Sequence, residues 1–203
     1  MRQPNTLSHR QHSRGVALFI SLVLLLMLTI VGVSAVQTTT LEVRMARNEH
    51  DAMLAFQAAE LALRDGEAAV DALAGIDGFA DSGGNGLWTL APPEQEPRWQ
   101  LPGVWGADSH TTVAAPTPVG EVSSQPQPRF MIEYLTSTAQ IAAVDDQPPG
   151  APVEIFRVTA RGVGASENTV TLLQSTYGRV MAGPNVAQPT AARTGRLSWR
   201  ELP

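Results

Sequence analysis

"VALFISLVLLLMLTIVGVSAV" runs from Val16 to Val36 and contains 21 residues without a formal charge. Seventeen of them are Ala, Val, Leu, Ile, Met or Phe. A helix of about 20 apolar residues matches the hydrocarbon core of a bilayer, which is about 30 Å thick. We therefore predict a helix over residues 16–36 that can span a membrane.

The charges on either side of this run set its expected orientation. Three arginines precede it, at positions 2, 10 and 14, whereas the two arginines and two glutamates between positions 42 and 49 cancel. By the positive-inside tendency, residues 1–15 should lie in the cytoplasm. The bulk of the chain should then lie on the other side of the membrane.

A cleaved secretory signal peptide is an alternative interpretation of the same region. A basic start, an apolar stretch and the small residues Val33, Ser34 and Ala35 fit a cleavage site. However, the apolar run is longer than the usual signal-peptide core of about 7–15 residues, and a helical pattern continues after it. These two features favour a helix that is retained.

Residues 37–75 continue the helix with an amphipathic pattern. Glycine and threonine are weak helix formers, so we expect a bend or local melting between Gly32 and Thr40, and Gly75 is a candidate stop. Acidic residues and Arg64 occupy the predicted polar face. Apolar or small residues recur about every 3.6 residues, at Leu41, Met45, Ala52, Phe56, Ala59, Leu63, Val70 and Ala74.

The composition argues against several classes of function. After Gly15 the chain has 19 acidic residues and 11 arginines, so this part has a net charge of −8. Binding of nucleic acid requires clustered positive charge, and we predict no nucleic acid partner. The chain has no cysteine, which excludes disulfides and thiolate metal sites.

The remainder divides into a loop region, a sheet and a tail. Residues 76–128 are rich in glycine and proline and predict loop, with one short strand near Arg98 to Leu101 and tryptophans that anchor the loop. Residues 129–180 alternate apolar and polar side chains, as antiparallel strands do. Residues 181–203 predict a loose tail. The amphipathic helix should cover the sheet in an α+β fold, with a core of Phe56, Ala59, Leu63, Phe130, Ile132, Phe156 and Val158.

Little in the sequence indicates catalysis or a cofactor. His50 and His110 stand alone, while His9 and His12 lie in residues 1–15. We therefore predict no catalytic residue, cofactor or metal site, and no enzymatic activity.

Two groups of side chains could supply oxygen ligands or an acid–base pair. Glu133 and Glu154 lie on separate predicted strands, which favours solvated side chains over an acid–base pair. Asp77, Asp81 and Asn85 could offer ligands to calcium within a glycine-rich loop, residues 77–85, but their spacing differs from the EF-hand pattern. A plain turn is the expected structure of that loop.

Four stretches carry a resemblance to a known family, over about Arg14 to Arg179 with a poorly matched centre between Asp77 and Gln127. They closely resemble the PilX-type minor pilins of type IV pilus assembly systems. The resemblance implies a pilin-like fold, in which a long N-terminal helix, hydrophobic in its first half, packs on a small antiparallel sheet. The stretches are "RGVALFISLVLLLMLTIVGVSAVQTTTLEVRMARN", "LAFQAAELALRDGE", "PRFMIEYL" and "EIFRVTARGVGASENTVTLLQSTYGR".

The resemblance also implies a processing step and a location. Residues 1–15 would be a cytoplasmic leader that a prepilin peptidase removes by cutting between Gly15 and Val16, and the new N-terminus would be a site of methylation. Phenylalanine or methionine is commoner than valine at that position in pilins. The chain would stand in the inner membrane with its C-terminal domain in the periplasm, and then enter the pilus.

The partners implied are other minor pilins and the major pilin. The helix would leave the bilayer and pack in the filament through residues such as Leu18, Phe19, Leu22, Leu25 and Leu26. Most pilins have a glutamate at the fifth mature position, where it compensates the buried N-terminus of a neighbour, but this chain has Ile20. Since an unpaired buried ammonium costs several kcal/mol, the chain suits the tip or initiation complex better than the shaft. Pilus-based twitching motility would depend on that complex.

Two other interpretations stay open at this point. The chain could be a signal-anchored inner-membrane protein whose periplasmic domain binds a partner through its loop region, or a secreted domain cut after Ala35. An adhesin at the pilus tip is a further alternative. The N-terminus of the mature chain separates them: Val16 for a pilin, Val36 for a secreted domain and Met1 for an anchor.

Overall fold

The computed structural model of the chain describes residues 13–106, 112–115, 127–138, 153–180 and 195–203. The chain divides into two compact units, residues 1–48 and residues 49–203. The predicted leader up to residue 12 and the first part of the predicted tail, residues 181–194, lie outside the described residues. His9, His12 and His110 lie outside them too.

Helix α1 extends from Ser13 to Ala72. Within the first unit it continues unbroken from Gly32 through Thr40, so the local melting expected there is wrong. The hydroxyls of Thr38, Thr39 and Thr40 donate to backbone carbonyls one turn earlier, at distances of 3.1, 3.2 and 2.8 Å. These bonds give each hydroxyl an acceptor inside the helix.

The second unit contains a six-stranded sheet in the order β1-β3-β4-β5-β6, with β2 paired to β3. The pairs β2–β3, β3–β4, β4–β5 and β5–β6 are antiparallel, whereas β1 runs parallel to β3. Two short 3₁₀ helices, Gly84–Gly86 and Arg98–Gln100, lie in the loop region. The strands are β1 Leu87–Thr89, β2 Val113–Ala114, β3 Arg129–Thr138, β4 Val153–Val163, β5 Val170–Val180 and β6 Gly195–Leu202.

The α+β fold class is confirmed, but the sheet is mixed where an antiparallel sheet was expected, because β1 runs parallel to β3. Three further differences concern individual elements. The tail contributes β6, which pairs with β5 in a register that puts Arg200 opposite Gln174. The loop region contributes β1 and β2, and residues 98–100 form a 3₁₀ helix where a strand was expected. A strand of two or three residues is too short to produce a period-2 pattern that can be recognised in a sequence.

The core of the second unit lies between α1 and the sheet. Six of the seven predicted core residues belong to one buried cluster: Ala59, Leu63, Phe130, Ile132, Phe156 and Val158. Phe56 lies at the margin instead, 37% exposed, with its ring edge-on to Trp199 at a centroid distance of 6.2 Å. The buried face of α1 is made largely of alanines, at positions 55, 58, 59 and 62, so it is offset from the face predicted through larger side chains.

Glycine on β4 allows α1 to lie very close to the sheet. A Cβ atom at Gly162 would stand 2.1 Å from the carbonyl oxygen of Ala55 and 2.3 Å from the nitrogen of Ala59. Both distances are far inside van der Waals contact, and both involve backbone atoms that cannot rotate away. Gly162 is therefore required for this helix–strand approach.

The loop region covers the opposite face of the sheet through tryptophans. Trp88 is buried in a second cluster with Val104 and Met131, and Trp99 and Trp105 pack against that cluster. The Trp105 indole nitrogen donates to the Trp99 carbonyl at 2.9 Å. Trp88, Trp99 and Trp105 thus anchor the loop region to the sheet, as predicted.

Candidate assembly surface

The apolar part of α1 exposes its side chains on every side. The five predicted packing residues Leu18, Phe19, Leu22, Leu25 and Leu26 are between 55% and 72% exposed. By length and composition, α1 is able to cross a membrane. A helix that is apolar all round requires lipid or other apolar helices around it. This surface, residues 16–36, is the candidate functional site, and it suggests membrane anchoring.

Two of the three hydroxyl side chains within this surface, those of Ser21 and Thr29, have acceptors inside the helix. The Ser21 hydroxyl donates to the Leu18 carbonyl at 2.8 Å, and the Thr29 hydroxyl donates to the Leu26 carbonyl at 2.7 Å. In a medium without water, an unsatisfied hydroxyl costs free energy. Internal bonding lets these two hydroxyls enter lipid or a helix bundle without that cost.

The fold does not restrict the residue types at the start of this surface or at Gly15, just before it. A Cβ atom at Gly15 would meet no other atom within 4 Å, and the side chains of Val16 and Ile20 are more than half exposed. Folding therefore gives no reason for glycine at position 15. Any requirement for it must come from another molecule.

The acids of α1 in the second unit bind the sheet. Sequence reasoning placed Glu60, Glu67 and Asp71 on a solvent-facing side, and the structure corrects this. The Arg196 guanidinium on β6 donates to both oxygens of Glu67, at 2.8 and 3.0 Å, and to Glu60 at 3.4 Å. The Ser175 hydroxyl donates to Glu67 at 2.6 Å and the Tyr177 hydroxyl to Asp71 at 2.7 Å. Glu60, Glu67 and Asp71 therefore fix α1 to β5 and β6.

Arg179 on β5 binds the C-terminal end of α1. Its Nη1 donates to the carbonyls of Val70 and Leu73, both at 2.6 Å, and its Nη2 donates to Glu154 at 3.1 Å. A cation suits the negative end of the helix dipole. Because Glu154 pairs with this arginine, it does not form a carboxylate pair with Glu133.

Asp51 near the start of the second unit holds the hairpin loop between β4 and β5. It accepts hydrogen bonds from the backbone nitrogens of Ala165 and Ser166 and from the Thr169 hydroxyl. The Thr169 hydroxyl is the main reason that the pKa of Asp51 is below its ordinary value. Sequence reasoning missed this clamp, because residues 51 and 169 are far apart in the chain.

The loop of residues 77–85, which contains the candidate calcium ligands, binds an arginine through Asp81. Asp81 accepts hydrogen bonds from Arg98 at 2.6 Å and from the Thr89 hydroxyl. Asn85 adopts a left-handed conformation with φ of 55°, as a tight turn requires. Among the described residues no group of three or more His, Cys, Asp and Glu side chains is placed to hold a metal ion, and His50 is exposed.

Glu133 on β3 is a buried carboxylate with an incomplete set of partners. It is 1% exposed, and within the described part of the chain neither oxygen accepts a hydrogen bond. The nearest charge is Arg157 at 3.6 Å, which is too long for a hydrogen bond. Burial raises the pKa of Glu133 above its ordinary value, and Arg157 opposes that rise.

We expect Glu133→Gln to stabilise the second unit at neutral pH. A raised pKa means that the folded state binds the Glu133 proton more tightly, so wild-type stability falls as pH rises through the raised pKa. The advantage of the variant should vanish in acid, where Glu133 is protonated. Thermal denaturation of the full chain in detergent, at neutral and acid pH, measures both effects.

Glu154→Gln is the matched control for this prediction. Glu154 is the other buried carboxylate on the sheet, and it has a hydrogen-bonded arginine, so its loss should destabilise the domain at neutral pH. Equal destabilisation by both substitutions would contradict the prediction for Glu133.

A long helix with an apolar, exposed first half, packed through its second half on a sheet, gives the chain a pilin-like α+β fold. A family model described as PilX N-terminal matches residues 14–64. A second, described as type IV pilus assembly protein PilX C-term, matches residues 59–179, which is more than half of the chain. The chain therefore belongs to the PilX family of type IV pilus assembly proteins. No curated protein matches the chain, and no solved structure matches it.

Proposed function

We propose that the chain is a minor pilin that takes part in the initiation or tip assembly of type IV pili. A prepilin peptidase cuts between Gly15 and Val16, and the helix over residues 16–36 then packs against the helices of other minor pilins. The observation that carries this proposal is the exposure of the helix on all sides, together with membership of the family. The function is structural and requires no catalytic site.

The proposal includes a location and an order of events. The chain first stands in the inner membrane as a single-pass protein with residues 1–15 in the cytoplasm and the second unit in the periplasm. After cleavage it leaves the bilayer for the pilus tip, where it contacts other minor pilins and the major pilin. The internally bonded hydroxyls of Ser21 and Thr29 support this order, since the same surface suits lipid and helix bundle alike.

Placement at the tip is supported by Ile20. An isoleucine cannot compensate the ammonium group of a neighbouring subunit's N-terminus, and within α1 no acidic residue occurs before Glu42. Repeating this subunit along a shaft would bury one uncompensated charge per copy, at several kcal/mol each. A single copy at the end of a filament avoids the repetition.

Counting subunits tests the placement. We expect quantitative mass spectrometry of purified pili to find this chain at a small fraction of the major pilin, and we expect its deletion to reduce the number of pili. Re-expression of the wild-type chain is the control. Amounts comparable with those of the major pilin would rule out the tip placement.

A further inference from the structure

Arg44 and Arg47 are two exposed arginines on α1 that have no acceptor. Within the described part of the chain, neither guanidinium makes a hydrogen bond or an ion pair. In the second unit, by contrast, Arg98, Arg179 and Arg196 bind carboxylates. The donors of Arg44 and Arg47 are therefore available to a ligand outside the chain.

The acids nearest to this pair do not neutralise it. Glu42 and Glu49 each lie two residues from one arginine and five residues from the other. On a helix, side chains three or four residues apart are neighbours, whereas side chains two or five residues apart point in different directions. Arg44 and Arg47 are three residues apart, so they share a face of α1 that carries two positive charges.

A shallow groove on the surface of α1 leads from the apolar run to this pair. Its lining includes Val36, Thr40, Arg44 and Arg47, in that order along the helix. Val36 is the last residue of the apolar surface, and the Thr40 hydroxyl donates to the Val36 carbonyl at 2.8 Å. The groove therefore changes from apolar to cationic over about three turns of helix.

The position of the pair along α1 corresponds to the headgroup layer of a membrane. Arg14 and Arg44 are thirty residues apart on an unbroken helix, which at 1.5 Å per residue is about 45 Å. A bilayer is about 40–45 Å thick when its headgroups are included. With residue 14 among the cytoplasmic headgroups, residue 44 lies among the headgroups of the opposite leaflet.

The direction of helical side chains brings Arg47 to the same layer. Arg47 lies about one turn further from the bilayer than Arg44, but Cα–Cβ bonds on a helix tilt towards its N-terminus, which here is the side of the membrane. A long arginine side chain extends in that direction and keeps its charge in the polar layer. Both guanidinium groups therefore meet the same layer of headgroups.

A phospholipid matches this groove along its whole length. Its acyl chain suits the apolar residues up to Val36, and its phosphate suits the guanidinium groups, which donate to phosphate oxygens in a two-pronged geometry. A free phosphate ion would leave the apolar end of the groove unused. A headgroup with a net negative charge is preferred, because two cations face it.

We propose that Arg44 and Arg47 bind the phosphate of an anionic phospholipid in the periplasmic leaflet of the inner membrane. This contact holds α1 at a fixed depth, with Gly15 at the cytoplasmic surface, until the chain enters the pilus. The proposal rests on the proposed function in one respect, because it requires residues 16–36 to span the inner membrane with the second unit in the periplasm.

Lipid titration of the purified full-length chain tests the site. The chain is kept in dodecyl maltoside, phosphatidylglycerol or phosphatidylcholine is added in increasing amounts, and native mass spectrometry counts the bound lipids. The double variant Arg44→Gln and Arg47→Gln should bind phosphatidylglycerol about thirtyfold more weakly, which corresponds to about 1 kcal/mol for each arginine at an anionic surface. Its binding of phosphatidylcholine should not change.

The reference chain and its variants share one further change. The leader arginines at positions 2, 10 and 14 are replaced by glutamine in all of them, so that lipid bound by the leader does not enter the comparison. The double variant should also have the thermal midpoint of the reference chain, since both of its altered side chains are exposed and make no bond within the described chain.

Two further variants serve as controls. The double variant Arg44→Lys and Arg47→Lys keeps both charges and should retain most of the phosphatidylglycerol binding. Arg64→Gln removes another exposed arginine of α1, which pairs with Glu60 in the second unit, and it should bind lipid as the reference chain does.

Equal binding of phosphatidylglycerol by the reference chain and the glutamine double variant would overturn the proposal, and so would an equal loss in Arg64→Gln. If the arginines instead bind a carboxylate of another pilin, the titrations will be equal while co-isolation of that pilin from membranes falls. The proposed function has its own test. A chain recovered from cells with Val36 at its start would reject that function, whereas a chain that starts at Val16 and gives equal titrations would reject only the lipid site.

Discussion

Gly162→Ala is expected to destabilise the second unit by about 3 kcal/mol, the upper end of the usual cost of overpacking a core. The added Cβ would stand 2.1 Å from the Ala55 carbonyl oxygen and 2.3 Å from the Ala59 nitrogen, so α1 must move away from β4. Movement of α1 would weaken the alanine-rich contact on which the core depends. Thermal denaturation of the full chain in detergent should show a midpoint about 6–12 °C lower.

Gly178→Ala is the matched control for this substitution. Gly178 is a buried glycine on the adjacent strand β5, and a Cβ there would make only ordinary contacts at 3.4 Å or more. Its midpoint should stay close to that of the wild type. If Gly162→Ala were as stable as this control, the close approach of α1 to β4 would not be a requirement of the fold.

Gly15→Phe is expected to leave the chain uncut and to exclude it from pili. Gly15 is exposed and a side chain there would meet no atom within 4 Å, so the fold tolerates the change. The loss of function should therefore come from the failed processing that the proposed function requires. Immunoblotting of membranes and sheared pili would show a longer chain in the membrane and none in the pili.

Gly32→Leu controls for a general effect of bulk on α1. Gly32 is also exposed and free of neighbours within 4 Å, and leucine is a better helix former than glycine. This variant should be cut normally. Normal piliation by an uncut Gly15→Phe chain would falsify the processing step.

The sequence predicted most reliably the features that follow from short-range patterns. The apolar run from Val16 and the alternation in "RFMIEYL" and "EIFRVTARG" indicated α1, β3 and β4, because each element repeats its own period within one segment. Phe130, Ile132, Phe156 and Val158 follow directly from that alternation. The buried face of α1 was harder to predict, because alanine suits both the buried and the exposed face of a helix. The buried face is the alanine-rich one.

Features that depend on distant pairing were missed. Strand β6 is mostly exposed and contains several polar residues, so its sequence resembles that of a tail. It forms a strand because it pairs with β5. Asp51 binds a loop that lies more than a hundred residues later in the sequence, and a similar number of residues separates Glu67 from Arg196. A charged residue on a helix gives no local sign of such a partner. Sequence reasoning therefore assigns acidic residues of this kind to the solvent-exposed face of the helix.

The N-terminal mass of the chain recovered from purified pili tests the central claim most directly. The account predicts a chain that begins at Val16 and keeps its apolar helix, because the same surface serves first in lipid and then among other helices. A chain that is found only outside the pili and begins at Val36, or one that remains in the membrane with Met1 intact, would contradict it.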